Sequence, residues 1–200
     1  MKGWTRHEGM AAGLPQENID TDQLIPARFM SAPRSEGYGK FLLHDLRFDA
    51  DGTPRDFPLG PGTSVVVTRR NFGSGSSREA AVYALVDFGI RVVVAPSFGD
   101  IFASNAVNNG LLPARVTPEM AEQLLGQLAA GPVRVVADLE TGRIRIGDES
   151  VPFDLVRSWR DKLINGWDDI DLTLRHRAEI ATFAERYRRA SPWTWPRGTG

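Results

Sequence analysis

The stretch NFGSGSSREAA, Asn71 to Ala81, packs two glycines, three serines and an Arg78–Glu79 pair into eleven residues. It lies between a β-branched run, Ser64–Thr68 (SVVVT), and a helical pattern. A glycine-rich turn from strand to helix gathers free backbone N–H groups at the positive helix end, where an anion is stabilised. It is not a dinucleotide fingerprint, because Arg78 stands where a third glycine belongs, and no Walker lysine follows. A guanidinium at that place favours bidentate recognition of a carboxylate. Small carboxylic acids are the expected ligand class. A second reading takes Ser76-Ser77-Arg78-Glu79 as an S-x-x-E capping box, in which Ser76 and Glu79 only satisfy helix N–H groups. It leaves Arg78 unaccounted for, since a cation in a first helical turn opposes the helix dipole. On these residues alone both readings stand.

The elements that must hold this turn follow from periodicity. Ser64–Thr68 reads as a buried strand. Arg78 to Phe88 places Ala81, Ala84, Leu85 and Phe88 at helical spacing, and Gly89 closes that helix. Ile90–Ala95 (IRVVVA) is a second buried strand, followed by a helix from Gly99 to Asn108 that stops at Asn109–Gly110. This alternation implies a parallel βαβ core with right-handed crossover. Thr117-Pro118-Glu119 starts another helix with an N-cap, a first-position proline and an early acid. Val133–Asp138 and Arg143–Ile146 form a hairpin through Glu140-Thr141-Gly142. Phe153 to Ile164 reads as one helix and residues 168–189 as a last amphipathic one. The first sixty residues, dense in Gly, Pro, Asp and Asn with only short apolar pieces such as Gln23–Ile25 and Phe41–Leu43, read as loops with brief strands and turns. The class is α/β with mixed sheets.

Two hundred residues, 42% of them apolar, suffice for one well-buried domain. A formal charge of -1 gives no global field for polyanions or anionic membranes, so neither nucleic acid nor membrane is an expected partner. The absence of cysteine excludes any disulfide and any thiolate-ligated zinc or iron–sulfur site made by this chain alone. MKGWTRHEGM has no apolar signal core and no later stretch reaches a membrane span, so a cytoplasmic location is expected. His7, His44 and His176 are too dispersed for a metal site.

NFGSGSSREAA, followed by DFGIRVVVAPSFGDIF and NNGLLP, with ENIDTDQLIPARF upstream and IDLTLRH downstream, resembles the small-subunit family of the 3-isopropylmalate dehydratases (isopropylmalate isomerases), in the aconitase superfamily. The likeness runs in order from about Gly9 to Ile180. It implies a swivelling β/β/α three-layer domain with mixed sheets, like the aconitase C-terminal domain, over residues 1–190, with 191–200 as a flexible tail. It also implies a large subunit, in a heterodimer or heterotetramer, that carries a 4Fe-4S cluster, in keeping with the missing cysteines. In the family's chemistry the cluster's unliganded iron binds a substrate carboxylate and hydroxyl while a deprotonated serine removes a proton from the adjacent carbon.

The serine matching that base is Ser76; Ser77 and Arg78 match carboxylate-holding neighbours, and Gly75 matches a close-approach glycine. An alkoxide there depends on N–H groups and a nearby cation for stabilisation. Asp20-Thr21-Asp22 read alone is a turn or helix cap, but the resemblance gives Asp22 a pairing with a large-subunit histidine that acts on the leaving hydroxyl. Arg34 matches an arginine for the distal carboxylate, although Ser35-Glu36 lengthens the usual spacing. Met30, Tyr38 and Phe41 lie where the family selects the alkyl group, with core packing the competing role for Phe41. Ala80 stands where the family commonly has histidine, and Ser74 where many relatives have cysteine. The reaction implied is the dehydration and rehydration that converts 2-isopropylmalate to 3-isopropylmalate in leucine biosynthesis. A related hydro-lyase for another alkylmalate, citramalate or homoaconitate, and a non-catalytic binding module of the same fold, are the alternatives.

Overall fold

The computed structural model describes residues 2–195. Its strands are β1 (Arg6–Leu14), β2 (Thr63–Thr68), β3 (Val92–Ala95), β4 (Leu112–Arg115), β5 (Val133–Asp138), β6 (Arg143–Ile146) and β7 (Glu149–Pro152). The helices are α1 (Thr21–Leu24), α2 (His44–Arg47), α3 (Glu79–Phe88), α4 (Asp100–Asn108), α5 (Pro118–Leu128), α6 (Arg157–Asn165), α7 (Asp169–Leu174) and α8 (Arg177–Ala190). One mixed seven-stranded sheet has the order β4-β3-β2-β1-β5-β6-β7. Its β1 to β4 half is parallel, while β5, β6 and β7 are added antiparallel on the other side of β1.

Strand alternation divides the core between the two faces of this sheet. Val66 and Val93 pack with Ala81, Ala84 and Leu85 of α3 and Phe102 of α4. Val65, Val67, Val92 and Val94 pack on the opposite face with Leu124, Leu125 and Leu128 of α5. Each fully buried valine or leucine is worth roughly 1.5–3 kcal/mol, against about 0–1 kcal/mol for an exposed ion pair. The helix positions therefore rest on these apolar faces. The parallel βαβ core appears as expected, with Gly89 in the left-handed conformation closing α3. Thr117 accepts a hydrogen bond from the Met120 N–H at the start of α5.

Several expectations need correction. The first sixty residues contain β1, the strand that joins the parallel and antiparallel halves. It carries Gly9, Ala11, Ala12 and Gly13 in place of β-branched residues because its neighbours come close: a Cβ on Gly9 would lie 1.9 Å from Ser64 Oγ. Strands β4 and β7 were also unforeseen; each occupies a sheet edge, where Pro113 and Pro152 are tolerated. The helix expected from Phe153 begins at Arg157; Phe153 is buried in extended chain. Residues 168–189 form two helices, α7 with an Asp168–Asp171 capping box and then α8, separated by Arg175–His176. Buried Lys162 holds α7 to the body through Asp169 and Asn108. Helix α8 buries no residue and exposes Ile180, Phe183 and Tyr187. Of the expected tail, Pro192–Thr194 make a 3-10 turn and residues 196–200 lie outside the described residues. Among the described residues no helix is long and apolar enough to cross a membrane.

His7, on β1, is half-buried with Nε2 2.8 Å from Ser64 Oγ, and burial, followed by the Arg91 charge, lowers its pKa from the ordinary 6.5. Below 6.5 the unfolded chain therefore binds the proton that the folded chain resists. Folding stability is expected to fall as pH drops through the ordinary 6.5 and to level off below the lowered value. His7→Gln should remove that part of the slope. Urea midpoints of both chains across this range check it.

Candidate active site

The turn at Asn71–Arg78 is clamped between two other segments. From one side Gly73 donates to the Ile19 carbonyl at 2.7 Å and Asn18 to the Arg70 carbonyl at 3.0 Å. From the other, Phe72 donates to the Ser97 carbonyl at 3.1 Å and Gly99 to the Phe72 carbonyl at 2.9 Å. Gly73 has φ of +71°, and a Cβ there would lie 2.2 Å from Cγ of Phe102. Gly75 has φ of +94°. Both are conformations that glycine adopts without strain.

Of the two readings of SSRE, the capping box does not form. The N-cap of α3 is Arg78, with no side-chain cap hydrogen bond. Glu79 instead accepts from Asn109 Nδ2 at 3.0 Å. It also accepts from Tyr83, whose phenol pKa is raised by burial first and by this contact second. Helix α4, which starts beside the same turn with Gly99 as its N-cap, likewise lacks a side-chain cap. Uncapped helix starts leave N–H donors and partial positive charge available to an anion.

A cleft of about 230 Å³ opens here, lined by residues of the turn, Thr21 and the start of α4 from Gly99 to Phe102. Ser76 and Arg78 both line it. Ser76, Ser77 and Gly75 are exposed at the turn. Arg78 is paired through Nη1 with the Asp22 carboxylate on α1. That bond occupies one of the five guanidinium donors, so Arg78 keeps donors for a further carboxylate. The structure thus brings together Asp22, Gly75, Ser76, Ser77 and Arg78, across more than fifty residues of sequence.

Arg34 is not in this group. Its Nη1 and Nη2 donate to Asp87 at 2.6 and 2.9 Å, and its guanidinium lies 4.4 Å from the Tyr83 ring centre. Asp87 is eight residues beyond Glu79, about 12 Å along α3 at the helical rise, toward the far end of the helix from Arg78. Tyr38 is buried with its hydroxyl on the Ala32 carbonyl, and Phe41 stacks on Phe29 at 4.4 Å, both packed with the core. Met30 is exposed. None of these three lines the cleft. Asp20 N-caps α1 in a capping box with Gln23. Ala80 is buried in the apolar core. Gly99, Asp100 and Ile101 were missed as cleft residues; the only signal was that SFGDIF follows the second buried strand directly.

The chain that builds this mixed sheet and its uncapped Gly-Ser-Ser-Arg turn matches the family of aconitase C-terminal domains over residues 1–119. It also matches, over residues 169–196, the C-terminal domain of the 3-isopropylmalate dehydratase small subunit. The 3-isopropylmalate dehydratase small subunit of Geobacillus kaustophilus is 43% identical over 194 residues, 94% of this chain and 98% of that protein. The one from Shouchella clausii is 41% identical, covering 90% and 94%. A crystal structure of 3-isopropylmalate dehydratase from Methanocaldococcus jannaschii superposes with a TM-score of 0.65 at 25% identity, covering 90% of this chain and 99% of that one. The chain belongs to the family of 3-isopropylmalate dehydratase small subunits.

Proposed function

We propose that this chain is the small subunit of a 3-isopropylmalate dehydratase, a hydro-lyase that interconverts 2- and 3-isopropylmalate by dehydration and rehydration together with a large subunit. The observation that carries the site assignment is the uncapped start of α3, which leaves Ser76 and Arg78 facing one cleft. Residues 1–190 act in this reading as one domain.

The 4Fe-4S cluster of the superfamily does not fit this chain's donors. There is no cysteine, and among the described residues no three His, Asp or Glu side chains converge. The cluster is accordingly assigned to the large subunit. The chain's own share is proton transfer and carboxylate binding. Ser76 Oγ, as alkoxide, takes the proton from the carbon next to the carbinol; that C–H pair forms the double bond as the hydroxyl leaves with the C–O pair and is protonated to water, and in rehydration water adds its oxygen to the carbon that lost the proton while Ser76 returns its proton to the former carbinol carbon. The free N–H groups of the turn and the Arg78 charge stabilise that oxyanion. Arg78 and Ser77 hold substrate carboxylate. Asp22 keeps Arg78 in place, and in the complex it is positioned to meet a large-subunit histidine. Arg34, paired through two of its donors with Asp87, acts in this reading as a brace between the 34–38 segment and α3.

Mixing the chain with a cluster-loaded large subunit and following interconversion of 2- and 3-isopropylmalate tests the reading; citramalate and homoaconitate in the same assay test the related hydro-lyases. Binding of alkylmalate with no turnover and no exchange of its proton with solvent would favour the non-catalytic module. In the active complex Arg78→Lys is expected to raise KM for the dicarboxylate about 10- to 100-fold, since an ammonium cannot make the paired charge-assisted bonds of a guanidinium. Steady-state kinetics with an unchanged KM would remove Arg78 from substrate binding.

A further inference from the structure

Thr21 is a polar residue that this chemistry leaves without a task, yet it is almost completely buried beside the cleft. Its N–H donates to the Ser74 carbonyl at 2.9 Å, and its Oγ1 donates to the Ser76 carbonyl at 2.9 Å. One side chain and its own backbone thus grip both ends of Ser74-Gly75-Ser76, whose middle residue has φ of +94°. Without such a grip a tripeptide centred on glycine has wide backbone freedom. With the Ser76 carbonyl fixed, the hydroxyl of Ser76 keeps little freedom beyond χ1. Thr21 also lies next to Asp22 in α1, and Asp22 holds Arg78, so one four-residue helix sets the base and the cation relative to each other.

We propose that Thr21 is a positioning residue for Ser76, its hydroxyl setting the backbone of the catalytic serine. This rests on the reading of Ser76 as the base. A misplacement of about 1 Å in a reacting group costs on the order of 10²-fold in rate, so the bond should act on kcat.

The test uses the reconstituted two-subunit complex and isopropylmalate. Thr21→Val, which keeps the shape and removes the donor, is expected to lower kcat about 10- to 100-fold with KM changed less than about 3-fold. Thr21→Ser, which keeps the donor, should retain kcat within about 3-fold of the parent. In a Ser76→Ala background Thr21→Val should add no further loss, because the group it positions is gone. The proposal is overturned by wild-type kcat in Thr21→Val, by a loss confined to KM, by Thr21→Ser failing as badly as Thr21→Val, or by a full additional loss in the Ser76→Ala background. If the Ser76 reading itself is wrong, Ser76→Ala alone keeps its turnover, a result that is separate from each of those.

Discussion

Replacing Ser76 by alanine in the two-subunit complex is expected to lower kcat by about 10²–10⁴-fold, the usual contribution of a general base, while the fold keeps its stability. A serine that capped α3 would cost about 1 kcal/mol on truncation, but the cap position is held by Arg78 and the Ser76 atom in use is its backbone carbonyl. Alanine keeps that carbonyl. Turnover of the complex and thermal unfolding of the isolated chain, measured side by side, separate the roles. Lost activity at constant stability supports the base. A drop in stability with activity retained returns Ser76 to capping.

The second large effect is on stability. Gly73→Ala is expected to destabilise the chain by roughly 2–4 kcal/mol, combining a left-handed backbone carrying a Cβ with an overpacking cost. The new methyl would lie 2.2–2.6 Å from three atoms of the Phe102 ring. That ring has little room to yield: it is buried on α4, edge-on to Phe72 at 5.3 Å and stacked with Phe98 at 6.5 Å. Urea unfolding gives the difference directly. A loss under about 0.5 kcal/mol, the range of an ordinary surface change, would mean that turn and ring are less tightly fitted than these distances imply.

The parallel half of the fold was readable wherever burial on both faces demanded β-branched runs, as in SVVVT and IRVVVA, or where a stop residue was unambiguous, as at Gly89 and Thr117-Pro118. It was unreadable where closeness replaced bulk. Strand β1 is central, yet its small residues look like loop. The break between α7 and α8 has no proline or glycine to announce it. In the site, the contiguous turn could be seen because its chemistry lies within eleven residues. Partners 55 or more positions apart could not: nothing in the spacing shows that Thr21 reaches the Ser76 carbonyl or that Asp22 meets Arg78. Arg34 illustrates the reverse case. Its motif context suggested a ligand, while its actual counter-ion, Asp87, lies 53 residues away on the outer side of α3.

Because residues 18–21, 71–74 and 97–99 are stitched together by main-chain bonds, serine, guanidinium and carboxylate ride on a single stiff platform. However this chain tilts or shifts against another protein, those three groups travel as cargo already in formation.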